Sequence, residues 1–189
     1  MPEQSLDGRR VLVAIGGSVA AFKACDVVTG VRKLQGEVRV VMSAAATRFV
    51  TPVLLRSLSG HPVAASLWDS DAEHGMSHLE LAAWCELQVV VAASADLIAR
   101  LALGLADDAV TTTALACAAP LLIAPAMESA MWEHPATQTN CATLITRGAR
   151  VLGPVRGRLA SGREGAGRMV EPDVILAAIE ESLVGSGAG

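Results

Sequence analysis

Five short apolar runs recur along the chain, and segments with helical character separate them. The runs occupy residues 11–15, 38–42, 87–92, 121–124 and 150–152. Their hydrophobicity is continuous rather than alternating, which is typical of strands that are buried on both faces of a parallel sheet. This pattern constrains the chain to an α/β fold in which helices cover both faces of the sheet.

Helices are expected between these runs, over residues 19–34, 96–103, 107–116, 135–146 and 172–183. The first is predicted to end at Gln35-Gly36, and the fourth begins with Pro135, which suits the first turn of a helix. The alternation of strands and helices predicts a three-layer α/β domain with a parallel sheet. Ligands of such domains bind at the carboxyl ends of the strands.

Length and charge restrict the number of domains and the class of partner. The 189 residues fit one domain, residues 1–189, with a disordered tail at about 185–189. A net charge of −4 gives no basic footprint for nucleic acid. No apolar run has the length of a membrane span, and the N-terminus lacks a signal peptide's apolar stretch. We expect a cytoplasmic protein with no nucleic-acid or membrane partner.

The four cysteines, Cys25, Cys85, Cys117 and Cys141, form no CxxC pair. Each lies in an apolar or helical context, and free cysteines are often small buried residues. The spacing therefore favours four packing residues over a metal site or a disulfide framework, and no metal is predicted.

Small and polar residues follow each of the first three apolar runs. After the first run, Gly16 to Ala20 would let backbone N–H groups approach a phosphate, although a plain tight turn explains the glycines equally well. Ser43 follows the second run as a helix cap or a phosphate ligand. Residues 92–99, AASADLIA, follow the third run. Of the histidines, His78 stands at an apparent helix start and suits proton transfer near neutral pH. For His61, His74 and His134 the expected roles are solvated or capping.

Residues 123–140, IAPAMESAMWEHPATQTN, closely resemble the Pro-x-Met-Asn-x-x-Met-Trp segment of the flavin-dependent cysteine decarboxylases. This family includes phosphopantothenoylcysteine decarboxylase and the lantibiotic enzymes that decarboxylate a peptide's C-terminal cysteine. Residues 92–97 resemble its Pro-Ala-Ser-Ala-Asn-Thr segment, and His78-Leu79-Glu80-Leu81 resembles its His-Ile-Glu-Leu stretch. The glycine-rich loop at residues 159–169 resembles its substrate-clamp loop. The resemblance covers roughly residues 10–172.

The resemblance implies a flavodoxin-like domain that assembles as a homotrimer or homododecamer with flavin mononucleotide (FMN) at the subunit interface. It implies that His78 is the catalytic base. The implied FMN-binding residues are Gly17, Ser18, Val19, Ser43, Ser94, Ala95, Asp96, Leu97 and Ala126. The implied substrate-binding residues are Glu128, Met131, Ser161, Arg163 and Arg168. We expect Asp96 to cap its helix or to meet the ribityl hydroxyls, because a carboxylate repels phosphate.

Residues 92–97 contain variants such as Asp96 and Leu97, and two further departures from the family pattern bear on the substrate and the product. Glu128 stands where the family has an Asn that holds the substrate's carboxylate end, and an ionised Glu only accepts hydrogen bonds. Ser161 stands where the coenzyme A enzymes have a Cys that donates a proton when the product is reduced. A serine hydroxyl is far less acidic than a thiol, so this reduction is expected to be weak or absent.

In the chemistry that the resemblance implies, oxidation of the cysteine Cβ–S unit gives a thioaldehyde, from which CO₂ leaves as an enethiolate forms. Glu128 and Ser161 favour a product that stays an aminoenethiol. The expected function is FMN-dependent oxidative decarboxylation of the C-terminal cysteine of a ribosomal peptide, during lanthipeptide or thioamitide biosynthesis. The alternative is the phosphopantothenoylcysteine decarboxylase of coenzyme A biosynthesis. A third hypothesis, a flavin-binding regulatory subunit, is disfavoured by the presence of His78.

Overall fold

A six-stranded parallel sheet in the order β3-β2-β1-β4-β5-β6 forms the centre of the protein. The structure is a computed structural model that describes residues 5–68 and 77–185. The sheet strands are β1 (Arg10–Ile15), β2 (Glu37–Met42), β3 (Val63–Ala64), β4 (Leu87–Ala93), β5 (Leu121–Pro125) and β6 (Arg150–Val151). A separate antiparallel hairpin consists of β7 (Val155–Arg158) and β8 (Glu164–Arg168).

Eight α-helices connect and cover the strands of the described ranges. They are α1 (Ala24–Lys33), α2 (Pro52–Ser59), α3 (His78–Trp84), α4 (Ala95–Leu103), α5 (Ala109–Ala116), α6 (Ser129–Trp132), α7 (Pro135–Thr146) and α8 (Pro172–Val184). Two 3₁₀ helices span Val19–Lys23 and Ala46–Arg48. No helix in this part of the chain is both long and apolar enough to cross a bilayer.

The two faces of the sheet contribute to two separate hydrophobic clusters. On β1, Val11, Val13 and Ile15 pack with α1, α2 and α8, whereas Leu12 and Ala14 pack with α3, α4, α5 and α7. Strand β4 is buried at all seven positions. Burial on both faces explains why the strands appear in the sequence as continuous apolar runs, and it confirms the predicted three-layer flavodoxin-like fold.

The five predicted strands are confirmed with small shifts at their ends, and α7 has the predicted bounds. Predicted helix 107–116 begins later, at Ala109, because Asp108 is its N-cap: the Asp108 side chain accepts from Thr111 N and the Thr111 side chain accepts from Asp108 N. The single helix predicted over residues 19–34 is wrong. Ser18 caps a tight 3₁₀ turn, in which Ala21 N bonds to the Ser18 carbonyl at 2.9 Å, and α1 starts only at Ala24.

The sequence analysis did not predict α2, α6, β3, the second 3₁₀ helix or the hairpin. The glycine-rich segment 159–169 was predicted as a loop, but Glu164–Arg168 forms β8 and only residues 159–163 form the turn between β7 and β8. Its sequence EGAGR has no apolar alternation, so the strand gives no periodic signal. His74 and the last four residues of the predicted tail lie outside the described residues.

Candidate active site

The segments that follow β1, β4 and β5 meet at one edge of the sheet. These three strands are neighbours, and all run in the same direction, so their carboxyl ends lie side by side. The order of the strands also reverses here, because β2 lies on one side of β1 and β4 lies on the other side. Such a switch point opens a crevice above the strands, which is where open α/β sheets bind ligands.

The turn after β1 depends on glycine for its close approach to neighbouring segments. A Cβ built on Gly16 would lie 2.3 Å from the Ala92 carbonyl oxygen, and one on Gly17 would lie 2.3 Å from the Ala45 Cβ. Ser18 then caps the 3₁₀ helix, with its Oγ accepting from Ala20 N at 3.2 Å. The turn therefore brings its backbone to the crevice with no side chain at Gly16 or Gly17.

The turn after β4 presents Ser94 to the crevice. Ser94 is the N-cap of α4, and its Oγ accepts from Leu97 N at 3.2 Å. Asp96 is therefore not the cap that we expected, because Ser94 occupies that position. The Asp96 carboxylate is exposed and lies 3.4 Å from Arg100 Nε on the next turn of the helix. Leu97 is buried in the core.

The segment after β5 is joined to the hairpin by main-chain contacts. Met127 N donates to the Gly167 carbonyl at 3.0 Å. A Cβ on Gly167 would lie 2.2 Å from the Met127 carbonyl oxygen, and one on Gly165 would lie 2.0 Å from Ser129 Oγ. The absence of side chains at these glycines lets β8 lie directly on α6, so the hairpin becomes the second wall of the crevice.

Glu128 and Ser161, which both depart from the family pattern, contact each other. Glu128 Oε1 accepts from Ser161 N at 3.2 Å, and Glu128 Oε2 accepts from Ser161 Oγ at 3.0 Å. Both carboxylate oxygens are thus used by the tip of the hairpin. This pair fastens the tip to the segment after β5, and it shows where the Glu128 carboxylate points.

Three charged residues join the first 3₁₀ helix to the end of β8, namely Lys23, Arg168 and Glu171. Lys23 Nζ lies 2.7 Å from Glu171 Oε2, and Arg168 forms an ion pair with the other carboxylate oxygen. The hydrogen bond from Lys23 is the main cause that holds the pKa of Glu171 below its usual value, and Arg168 adds to the same effect. The Lys23 side chain is only 14% exposed, so this cation sits at the wall rather than in bulk solvent.

These segments enclose an open cavity of about 510 Å³, within the range of ligand sites. The predicted residues that line it are Gly17, Ser18, Val19, Ser94, Ala126, Glu128, Met131 and Arg168. The lining residues Ala20, Met127, Leu159, Ala160, Gly167 and Met169 belong to segments that the sequence analysis marked as parts of the site. The lining residues that it did not predict are Phe22, Lys23, Phe49 and Arg158. Lys23 lay in the predicted first helix, and no local pattern marked it as a wall of the site.

The other predicted site residues do not line this cavity. Ser43 is buried, and its Oγ accepts from Ala46 N at 3.2 Å within the turn that precedes the second 3₁₀ helix, whose N-cap is Ala45. Ala95, Asp96 and Leu97 belong to the first turn of α4. Ser161 meets Glu128 from the hairpin tip, and Arg163 is exposed beside it, where its N donates to Ser161 Oγ at 3.4 Å.

His78 also lies away from the cavity. It is the first residue of α3, which a capping box between Ser77 and Glu80 starts. Helix α3 leads into β4 and packs against α5, on the face of the sheet opposite α1. His78 is half-buried, and its neighbour Leu79 is 62% exposed. By contrast, His134 has the capping role expected of it, since its Nδ1 accepts from Ala136 N at 3.2 Å.

The residues of the cavity fit a flavin nucleotide. The glycine turn gives the close backbone approach that a phosphate needs, and Lys23 supplies a cation near it. Phe22, Met127 and Met131 supply apolar surface for a ring system. No group of three or more His, Cys, Asp or Glu side chains that could hold a metal occurs within residues 5–68 and 77–185.

Comparison with known proteins places this arrangement among flavin proteins. The model of the flavoprotein family matches residues 1–184. The coenzyme A biosynthesis bifunctional protein CoaBC of Vibrio vulnificus (strain YJ016) is 44% identical over 178 residues, which is 94% of this chain. The chain spans only 44% of the length of that relative.

Two solved structures share the fold closely. One is a cysteine-to-serine variant of PPC decarboxylase complexed with pantothenoylaminoethenethiol, with 31% identity and a TM-score of 0.79 over 91% of this chain and 96% of that one. The other is the FMN-dependent cysteine decarboxylase SpaF, with 31% identity and a TM-score of 0.81 over 97% of this chain and 100% of that one.

Proposed function

Because the chain belongs to the flavoprotein family and, within it, to the flavin-containing cysteine decarboxylases, we propose that it binds FMN in the cavity described above and decarboxylates a substrate that ends in cysteine. The observation that carries the proposal is the junction of the Gly16-Gly17 turn, the Ser94 turn and the hairpin around a single cavity. The FMN phosphate would lie against the glycine turn near Lys23.

Phosphopantothenoylcysteine is the substrate that sequence similarity favours. The chain is more similar to the CoaBC protein than to SpaF, and the PPC decarboxylase structure matches it about as well as SpaF does. The similarity therefore supports the alternative of the sequence analysis better than the peptide substrate that we expected. A cationic Arg158 and Arg168 at the cavity also suit a phosphorylated substrate.

A peptide with a C-terminal cysteine remains the second candidate, and the pair of Glu128 and Ser161 favours it. Ser161 replaces the acidic thiol that, by the family resemblance, returns a proton to the product, so the enethiol is the expected end of the reaction. Glu128 has no side-chain amide that could donate to the substrate carboxylate, and both of its carboxylate oxygens accept from Ser161. The structure thus gives a reason to test both substrates.

The protein's own residues position the substrate and move protons. A bound flavin supplies the two-electron oxidation of the cysteine Cβ–S unit, which makes loss of CO₂ favourable. The contact between Glu128 and Ser161 holds the hairpin tip, and the side chains of Leu159, Met127 and Met131 give the cavity an apolar wall. In this proposal His78 is the base that takes a proton from the substrate.

We propose that His78 acts from a neighbouring copy of the chain, because it does not line the cavity of its own copy. Exposed apolar residues such as Phe49, Leu79 and Met131 provide surface for assembly into a homotrimer or homododecamer. His78→Asn is expected to keep FMN and to lose turnover, with His134→Asn as the control that keeps turnover. A monomer by light scattering that still turns over would contradict the shared site.

Product analysis decides between the substrates. The FMN-loaded protein is incubated separately with phosphopantothenoylcysteine and with a short peptide that ends in cysteine, and the products are weighed by mass spectrometry. We expect phosphopantothenoylcysteine to be consumed and the peptide to stay unchanged. Loss of CO₂ together with two hydrogens identifies an enethiol product, whereas loss of CO₂ alone identifies a saturated thiol. If only the peptide were turned over, phosphopantothenoylcysteine would be ruled out as the substrate. If neither compound were turned over, the proposed reaction would be wrong.

A further inference from the structure

Two cysteines that are distant in the chain meet on the face of the sheet opposite α1. Cys85 Sγ lies 3.2 Å from Cys117 Sγ. Cys85 is the residue at which α3 ends, and Cys117 is the residue at which α5 ends. The two helices pack against each other, so their C-terminal ends are held side by side. All four cysteines of the chain are present as free thiols.

The two thiols differ in exposure. Cys85 is 7% exposed. Its backbone N–H donates to the Leu81 carbonyl, and its thiol faces the Ala82 carbonyl in the last turn of α3. Cys117 is half-buried, and it lines an open cavity of about 410 Å³ between the ends of α4, α5 and α7. A small reagent can therefore reach Cys117 more easily than Cys85.

The contact also makes the two thiols chemically unequal. The hydrogen bond between the Cys85 and Cys117 sulfurs lowers the pKa of Cys117, and the backbone N–H of Ala119 lowers it further, against the opposing effect of burial. The same hydrogen bond and its own burial raise the pKa of Cys85, while Arg10 acts weakly in the other direction. Cys117 is therefore the more readily ionised thiol of the pair and the better nucleophile.

We propose that Cys85 and Cys117 are a redox-active dithiol that closes to a disulfide by exchange with a small disulfide such as glutathione disulfide. The Cys117 thiolate attacks one glutathione sulfur, which forms a mixed disulfide and releases one glutathione thiolate. Cys85 then loses its proton and attacks the Cys117 sulfur, which releases the second glutathione. Two protein thiols are oxidised, and one glutathione disulfide is reduced to two glutathione molecules.

The movement that the reaction needs is small. A disulfide has an S–S length near 2.05 Å, so the two sulfurs approach each other by roughly 1 Å. The bond would close a loop that contains β4 and α4 and would tie the end of α3 to the end of α5. Because α3 starts at His78, oxidation fixes the helix that carries the proposed base. The proposal does not depend on the substrate of the enzyme.

The experiment measures which thiols disappear in an oxidising glutathione buffer. The FMN-loaded protein is equilibrated with excess glutathione disulfide and then unfolded in guanidinium chloride, in which the free thiols are blocked with N-ethylmaleimide, and intact mass and peptide maps are recorded. We expect the wild type to lose the mass of two hydrogens, to show a Cys85–Cys117 cross-linked peptide, and to block Cys25 and Cys141 completely. Cys117→Ser is expected to show no cross-link, and Cys141→Ser, which changes another buried cysteine, is expected to form it like the wild type.

The result that overturns the proposal can be read in the wild type alone. Four blocked thiols at equilibrium, or a glutathione adduct on Cys117 that Cys85 does not displace, would each show that the pair does not close. Equal cross-linking of all cysteine pairs in the oxidised native protein would show that the fold does not select this pair. A rise in the Tm of the oxidised wild type, absent in Cys117→Ser, supports a bond between the two helices.

Discussion

The substitution Gly16→Ala tests whether the end of β4 sets the shape of the site. The new Cβ would lie 2.3 Å from the Ala92 carbonyl oxygen and 3.1 Å from Leu97 Cδ2, whereas Cβ atoms essentially never come closer than 3.0 Å to another atom. The oxygen belongs to the main chain of β4, which is buried at every position, so it cannot turn aside as a side chain would. The turn after β1 therefore has to move.

The cost of this movement follows from measured overpacking in protein cores. We expect Gly16→Ala to lower the free energy of unfolding by about 1–3 kcal/mol. For a chain of this length, each kcal/mol lowers Tm by about 2–4 °C, so the variant should melt about 2–12 °C below the wild type. Because Gly17 to Ala20 line the cavity next to the displaced residue, FMN affinity should fall as well.

The assays are urea unfolding and titration with FMN followed by flavin fluorescence. Gly185→Ala is the matched control, because a Cβ at Gly185 meets no atom within 4 Å and its φ of −65° suits alanine. The control should unfold within about 0.5 kcal/mol of the wild type. If Gly16→Ala matched the control in both stability and FMN affinity, the turn after β1 would not be limited by the end of β4.

Three other predictions concern the hairpin and its contacts. A double-mutant cycle of Glu128→Gln and Ser161→Ala measures how strongly the two side chains stabilise the hairpin together. We expect a coupling energy of about 0.5–1.5 kcal/mol in the opening free energy that amide hydrogen exchange of the hairpin reports, and zero coupling would contradict the contact. Ser161→Cys should raise the ratio of saturated thiol to enethiol product, and a wild type that yields saturated thiol alone would remove this role for Ser161. Lys23 and Arg168 lower the pKa of Glu171 in the folded protein. The ion pairs of Glu171 therefore stabilise the fold fully above its unfolded-state pKa of about 4.3, and this stabilisation is lost as the pH falls through the lower folded-state pKa. The Tm of Glu171→Gln should therefore vary less with pH over about pH 3–5 than that of the wild type, and identical pH profiles would refute the assignment.

The architecture was predictable because burial leaves a direct mark on a parallel strand. Strand β4 is apolar at nearly every position, and its run in the sequence ends within one residue of the strand. Helix α7 was predictable at both ends, because Pro135 starts it and Gly148 follows its end. These signals are local, and each depends on a few consecutive residues.

The site was less predictable because its walls come from contacts between distant segments. The contact of Glu128 with Ser161 joins residues that are 33 apart, and Lys23 reaches Glu171 over a separation of 148 residues. Ser94 was expected only as an FMN-binding residue and the cap was expected at Asp96, since both residue types suit a helix N-cap. Cys85 and Cys117 are separated by 32 residues, and no spacing rule reveals their contact.

The hairpin has a base that is packed through glycines and a tip that is held at Ser161 but open at Gly162. At the base, Gly165 and Gly167 lie against α6 and Met127, so their replacement would push β8 away from these segments. At the tip, a Cβ on Gly162 meets nothing within 4 Å, and residues 160–164 are exposed. Leu159 and Ala160 line the cavity and Ser161 is held by Glu128, so residues 162–163 are the part of the tip that can be exchanged for those of a relative without altering the proposed flavin site.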